Sequence, residues 1–206
     1  MVGGSVGVCN SGVSGWCTTL RFMQINNAAE RGLELFGSVV RGVPGDQWGV
    51  ATPCAGWDAR DLVGHVVGVL EIGVSAIRGG SLGGSLSPVS VGDDPVGAWE
   101  RTAAVFRSEV ADADLDAVRE TALGAQPLSF ALTFPTFDLF LHSWDLGRAT
   151  GQEVRIPDDV VSWIDGFLRQ LPPERLRSPN TFGPEQPAPA DADPTTRLMA
   201  FLGRSV

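Results

Sequence analysis

At 206 residues the chain can bury a substantial core without disulfide or metal staples. It carries a net charge of −9 and no lysine, so all 15 of its basic residues are arginines. Arginines scattered over an acidic chain leave no basic patch to collect phosphates, which argues against nucleic acid as the main partner. The apolar stretches are broken by Gly, Asp or Arg well short of the ~20 residues that span a bilayer, which argues against a transmembrane helix.

Residues 1–22 are rich in Gly and Ser, with neither a charged n-region nor a continuous apolar run. They are expected to be a disordered leader before Met23, with residues 23–206 forming one domain, and the default location is the cytoplasm. Cys9, Cys17 and Cys54 form no CxxC pair and too small a set for a disulfide framework.

In chain order, apolar spacing predicts a helix over Ile25 to Val43, closed by Pro44-Gly45. Trp48 to Trp57 reads as a turn-rich connection containing TPCAGW. Asp58 is placed to cap a second helix, with Asp61 as the reciprocal partner of a capping box, and that helix runs to about Arg78. Composition predicts a flexible loop over Gly79 to Asp93. Asp94-Pro95 starts a third helix that reaches about Val110, with a second helical piece extending to Leu123, then a turn over Gly124 to Ser129. Thr133 or Thr136 is expected to cap a fourth helix that ends at Gly151. Shorter helices over Pro157–Leu171 and Thr195–Leu202 flank a Pro-rich stretch. Strand-period alternation is nearly absent, and the fold class is all-α.

The chain has two histidines, each four residues after an aspartate: Asp61/His65 and Asp138/His142. Residues i and i+4 share a helix face, so Asp138 and His142 can present a carboxylate and an imidazole to one point. If the second and fourth helices pack together, His65 supplies a third donor, as facing helices of bundles do in metal sites. Two imidazoles and one carboxylate leave coordination positions open, which suits chemistry rather than structure. The competing reading is a pair of ordinary ion pairs or satisfied histidines. Asp61 has its own role at N3 of the second helix and stays outside the ligand set. Asp145, one turn after His142, is placed to accept from its other ring nitrogen or to pair with Arg148. Cys54 precedes the second helix, and His65 lies ~10 Å further along it. Cys54 could serve as thiolate ligand or nucleophile only if the loop folds back along the helix, so a small buried cysteine in a tight turn is its expected role. Trp48, Trp57 and Trp144 read as core and loop anchors.

TPCAGWDARDLVGHVVG and DLFLHSWDLGRATGQ resemble the two signatures of the mycothiol-dependent maleylpyruvate isomerase N-terminal family, within the DinB-like superfamily. The tail NTFGPEQPAPADADPTTRLMAFLGRSV resembles a short subgroup of metal-binding proteins. The resemblance implies a DinB-like four-helix bundle with extra short C-terminal helices and a divalent metal at one end. Zinc is the first choice, with nickel, iron or manganese as alternatives. By motif the ligands are His65, Asp138 and His142, and Asp138 stands where the isomerase has a glutamate. The isomerase has a further C-terminal domain, whereas this sequence ends shortly after the bundle. Two functions follow as expectations. One is a transferase or isomerase in which the metal activates mycothiol or another low-molecular-weight thiol toward a small substrate, with Arg148 holding an anionic group. The other is a metal-binding sensor, regulatory or dimerisation module without chemistry of its own. A homodimer is expected by the same resemblance.

Overall fold

Four long helices carry the described residues: α1 (Ile25–Arg41), α2 (Ala59–Ile77), α3 (Pro95–Ala111) and α5 (Thr133–Thr150). The structure is a computed structural model and describes residues 24–121, 124–177 and 181–206. The leader expected at residues 1–22 lies outside them. Helix α1 packs on α5 and α3, and α2 packs on the same two helices. The ring order is therefore α1–α5–α2–α3, with α1 and α2 on one diagonal. Phe36, Leu62, Leu70, Trp99, Phe106, Leu139 and Phe140 fill the centre, fully buried. Phe36 meets Trp99 edge-on at 4.8 Å. The all-α four-helix bundle expected from the sequence is the observed fold.

The cap signals act as read. The Asp58 side chain accepts from the Asp61 amide, and the Asp61 side chain accepts from the Asp58 amide. Asp94 accepts from the Gly97 amide, with Pro95 at the helix start. Gly151 ends α5 in the left-handed region at φ 72°. At the start of α5 the expectation fails. Thr133 and Thr136 do not cap; their hydroxyls donate back to the Ser129 and Leu132 carbonyls. A short helix α4 (Leu128–Ala131) runs almost directly into α5. Pro135 lacks an N–H and its ring crowds the carbonyl four residues back, so the break falls at Leu132.

The helical piece expected up to Leu123 is also corrected. Strands β1 (Val118–Thr121) and β2 (Gly124–Pro127) form an antiparallel hairpin. Asp114 takes the Asp116 amide in a local turn, the kind of bond that draws backbone away from a helix. Arg119 then donates to the Ala76 and Ile77 carbonyls, which pins the hairpin to the end of α2. After the bundle come α6 (Asp158–Leu168), α7 (Pro173–Leu176) and α8 (Pro194–Phe201), with α8 packed on α6.

The 79–93 segment, expected as a flexible loop, is a loop that is tied along α2. The Val89 amide donates to the Gly64 carbonyl at 3.3 Å. A Cβ at Gly64 would overlap the Val89 carbonyl oxygen, so only glycine admits this strap at that height. Gly64→Ala is predicted to cost about 1–3 kcal/mol of stability by forcing backbone apart. The check is chemical denaturation together with amide exchange, in which the Val89 amide should lose protection ahead of the α2 core.

Candidate metal centre

The contact between α2 and α5 sets His65 opposite Asp138 and His142. His65 Nε2 lies 3.5 Å from Asp138 Oδ2. One donor atom from each of His65, Asp138 and His142 falls within 4.8 Å of the other two. The His65 and His142 rings meet edge-on with centroids 4.9 Å apart. Both histidines are buried, whereas the Asp138 side chain keeps 27% of its exposure. The open side of the cluster is therefore the Asp138 side. Trp57, expected as a loop anchor, lies against both rings at 4.6 and 6.3 Å.

Each imidazole is held through Nδ1 by a separate part of the chain. The strap brings the Leu86 carbonyl 2.7 Å from His65 Nδ1. A carbonyl can only accept, so His65 carries its proton on Nδ1 and keeps Nε2 for the cluster. His142 Nδ1 lies 3.0 Å from Asp145 Oδ2, which leaves its Nε2 in the same condition. A ring nitrogen bonded to an outer carbonyl or carboxylate is the usual support of a metal-binding histidine. Burial pulls the His65 pKa down, but the hydrogen bond and charge of Asp138, the Leu86 carbonyl and the charge of Asp145 outweigh it and raise the pKa above its ordinary value.

Asp145 is wholly buried and, among the described residues, accepts from three. Besides His142 these are Cys54 (Sγ to Oδ2, 3.4 Å) and Arg204 (Nε to Oδ1, 3.2 Å; Nη2 to Oδ2, 2.9 Å). Burial alone would raise its pKa, yet the His142 bond and the Arg204 charge and bonds hold the carboxyl down at about 2. The ion pair considered between Asp145 and Arg148 is not formed. Arg148 is exposed, with its guanidinium 6.0 Å from the Trp144 ring centre, and it lines a cavity of about 370 Å³ with Thr52, Pro53 and Arg204. Arg204 is the partner that sequence reasoning missed, 59 residues away. The one available signal was an arginine directly after the glycine that ends the last helix.

Cys54 sits half-buried in the expected turn, and it also reaches the site. The loop doubles back through bonds from the Ala59 amide to Val50 and from the Thr52 amide to Trp57, and this carries Cys54 to the site. Its Sγ lies 3.9 Å from His142 Nδ1, so Cys54, His142 and Asp145 make a second candidate ligand triad. That triad fits a cation poorly. Arg204 already supplies the positive charge at Asp145, and burial and the Asp145 charge push the Cys54 thiol well above its ordinary range. His65, Asp138 and His142 fit better. Their donors are two neutral nitrogens and one carboxylate. The 3.5 Å separation is close to the ~3.4 Å edge of a tetrahedron with ~2.1 Å bonds.

Fold and site together define a helical-bundle protein with a His/His/carboxylate cluster between two helices. Residues 29–147 match the mycothiol maleylpyruvate isomerase N-terminal domain, and the chain belongs to that family. Two uncharacterised proteins from two strains of Mycobacterium tuberculosis are each 32% identical over 182 residues, covering 87% of this chain and 97% of theirs. The crystal structure of the mycothiol-dependent maleylpyruvate isomerase shares the fold at a TM-score of 0.58 and 17% identity, over 73% of this chain and 70% of that one. A histidine-to-alanine mutant of that isomerase aligns at a TM-score of 0.56 and 16% identity over the same shares. Among the described residues no helix is long and apolar enough to cross a membrane.

The depressed Asp145 pKa has a definite sign. The unfolded carboxyl titrates near ~3.9, so its contribution is complete above that pH and is lost as pH falls through about 2. The metal-free protein is predicted to lose on the order of 2 kcal/mol across this window. Asp145→Asn should flatten that limb of the stability–pH curve in urea titrations, while lowering stability at neutral pH by leaving Arg204 unpaired.

Proposed function

We propose that this chain is a divalent-metal-dependent enzyme of thiol chemistry, a transferase or isomerase that uses mycothiol or a related low-molecular-weight thiol. His65, Asp138 and His142 hold the ion. The observation that carries the reading is that both imidazoles are engaged through Nδ1, while one donor atom from each of His65, Asp138 and His142 lies within 4.8 Å of the other two. Family membership and the mycothiol-dependent isomerase among the structural relatives support the thiol. Zinc suits this donor set best, and nickel, iron and manganese accept the same atoms. A divalent ion bound there lowers the pKa of a thiol brought to it, which makes the thiol a thiolate nucleophile at neutral pH.

The chain's own residues account for the rest. Leu86 and Asp145 fix the rings, and Trp57 shields them from water. Asp138 stands at the entrance, where an incoming thiol arrives. Cys54 is kept protonated by burial and by the Asp145 charge, so it offers no competing thiolate. Arg148 is the proposed anchor for an anionic group. It lies six residues beyond His142, ~9 Å along the helix, so it serves the far end of an extended ligand.

The test measures metal content and thiol affinity together. Wild-type protein is predicted to hold about one divalent ion, and His142→Ala should lose at least ~100-fold in metal affinity and its thiol binding with it. Metal-free protein after metal-replete expression would end the proposal. Thiol affinity unchanged by chelation would instead leave a metal-binding module. The raised His65 pKa adds a pH signature: metal affinity should hold steady above that pKa and fall as pH drops through it, because the proton competes for the ring.

A further inference from the structure

We infer that Arg204 is a positioning residue for the metal centre, which makes the docked C-terminal segment part of the ligand geometry. The inference rests on the ligand assignment proposed above. It begins with the end of α8. Gly203 takes φ 90°, its amide donates to the Ala200 carbonyl at 2.9 Å, and the Arg204 amide donates to the Met199 carbonyl at 3.0 Å. These two bonds are a Schellman close, which needs a left-handed residue at the glycine position. The turn sends the Arg204 side chain inward, where it is 11% exposed.

The guanidinium then grips Asp145 as a fork, Nε to Oδ1 and Nη2 to Oδ2, and spends Nη1 on the Leu202 carbonyl at 3.1 Å. The Phe182 ring lies 5.6 Å away. A two-point grip fixes the plane of the carboxylate, which a single hydrogen bond or a point charge does not. With that plane fixed, Oδ2 faces His142 Nδ1 and the Cys54 thiol. No cation on α5 itself does this work, since the Arg148 guanidinium lies by the Trp144 ring. The line Arg204–Asp145–His142 therefore joins the tail to one of the two imidazoles of the cluster. Metal binding and tail docking should reinforce each other, as any two events that favour one conformation must.

The chain's two histidines make this measurable in metal-free protein, because long-range ¹H–¹⁵N spectra contain only two imidazoles. Wild type should show both rings protonated at Nδ1. In Arg204→Met the His142 pattern should become a mixture of tautomers while His65 keeps its pattern, and zinc affinity should fall about 10- to 100-fold. In an Asp145→Asn background the same arginine change should cost little further, because Arg204 acts through that carboxylate. Arg204→Lys keeps the charge without the fork, so it should restore affinity only partly. If Arg204→Met does not fold, Arg204→Lys carries the ring test alone. Unchanged His142 signals, or equal disturbance of both rings, would overturn the inference, as would an undiminished effect in the Asp145→Asn background. The ring spectra need no metal, so wild type that binds no zinc would defeat the ligand assignment without deciding the outcome for Arg204.

Discussion

The site depends on one buried carboxylate. Asp145 has no solvent to stabilise its charge, so the protein must surround it with donors, and it draws them from three separate parts of the chain. The loop before α2 sends Cys54, α5 supplies His142 one turn away, and the end of α8 sends Arg204. An ionised group left buried and unpaired costs several kcal/mol, so the docking of each of these segments on Asp145 supports the site. The result is an imidazole with no rotational choice, held on a rigid helix at the edge of a cluster that opens toward Asp138.

His65 reaches the same condition by a different route. Its Nδ1 is fixed by a backbone carbonyl from a strap that lies close on α2 because Gly64 has no side chain. A carbonyl brings no formal charge, and Asp138 supplies the charge on the other side of the ring. The two histidines are thus oriented independently, one by an ion-pair network and one by main chain. Both belong to the one cluster with Asp138. Such rigidity suits metal binding, where misplaced donors lose affinity, and it leaves Asp138 as the only half-open member.

Local signals in the sequence sufficed for much of this. The Asp58/Asp61 capping box, the Asp94-Pro95 start and the Gly151 stop depend on residues within one turn of each other, and their chemistry is readable from spacing. The shared face of Asp138 and His142 follows from helical geometry in the same way. Contacts made across the chain were not readable. Nothing near Arg204 announces Asp145 59 residues earlier, and nothing in a Gly/Ser-rich stretch singles out the Leu86 carbonyl. Cys54 reaches the site only because the loop folds back on itself, and nothing in its local spacing announces the bonds that fold it. The hairpin at 118–127 escaped because two four-residue strands carry too little alternation to be seen, and its docking rests on Arg119 reaching the end of α2.

The central claim is that the ion sits among His65, Asp138 and His142 and not in the neighbouring triad that contains Cys54. X-ray absorption at the zinc edge separates the two directly, because sulfur scatters differently and sits at ~2.3 Å, against ~2.0–2.1 Å for imidazole nitrogen. The account predicts a shell of two imidazoles and oxygen without sulfur in the thiol-free protein, with one sulfur appearing when a low-molecular-weight thiol is added. A sulfur ligand present before any thiol is added, and lost in Cys54→Ser, would contradict it.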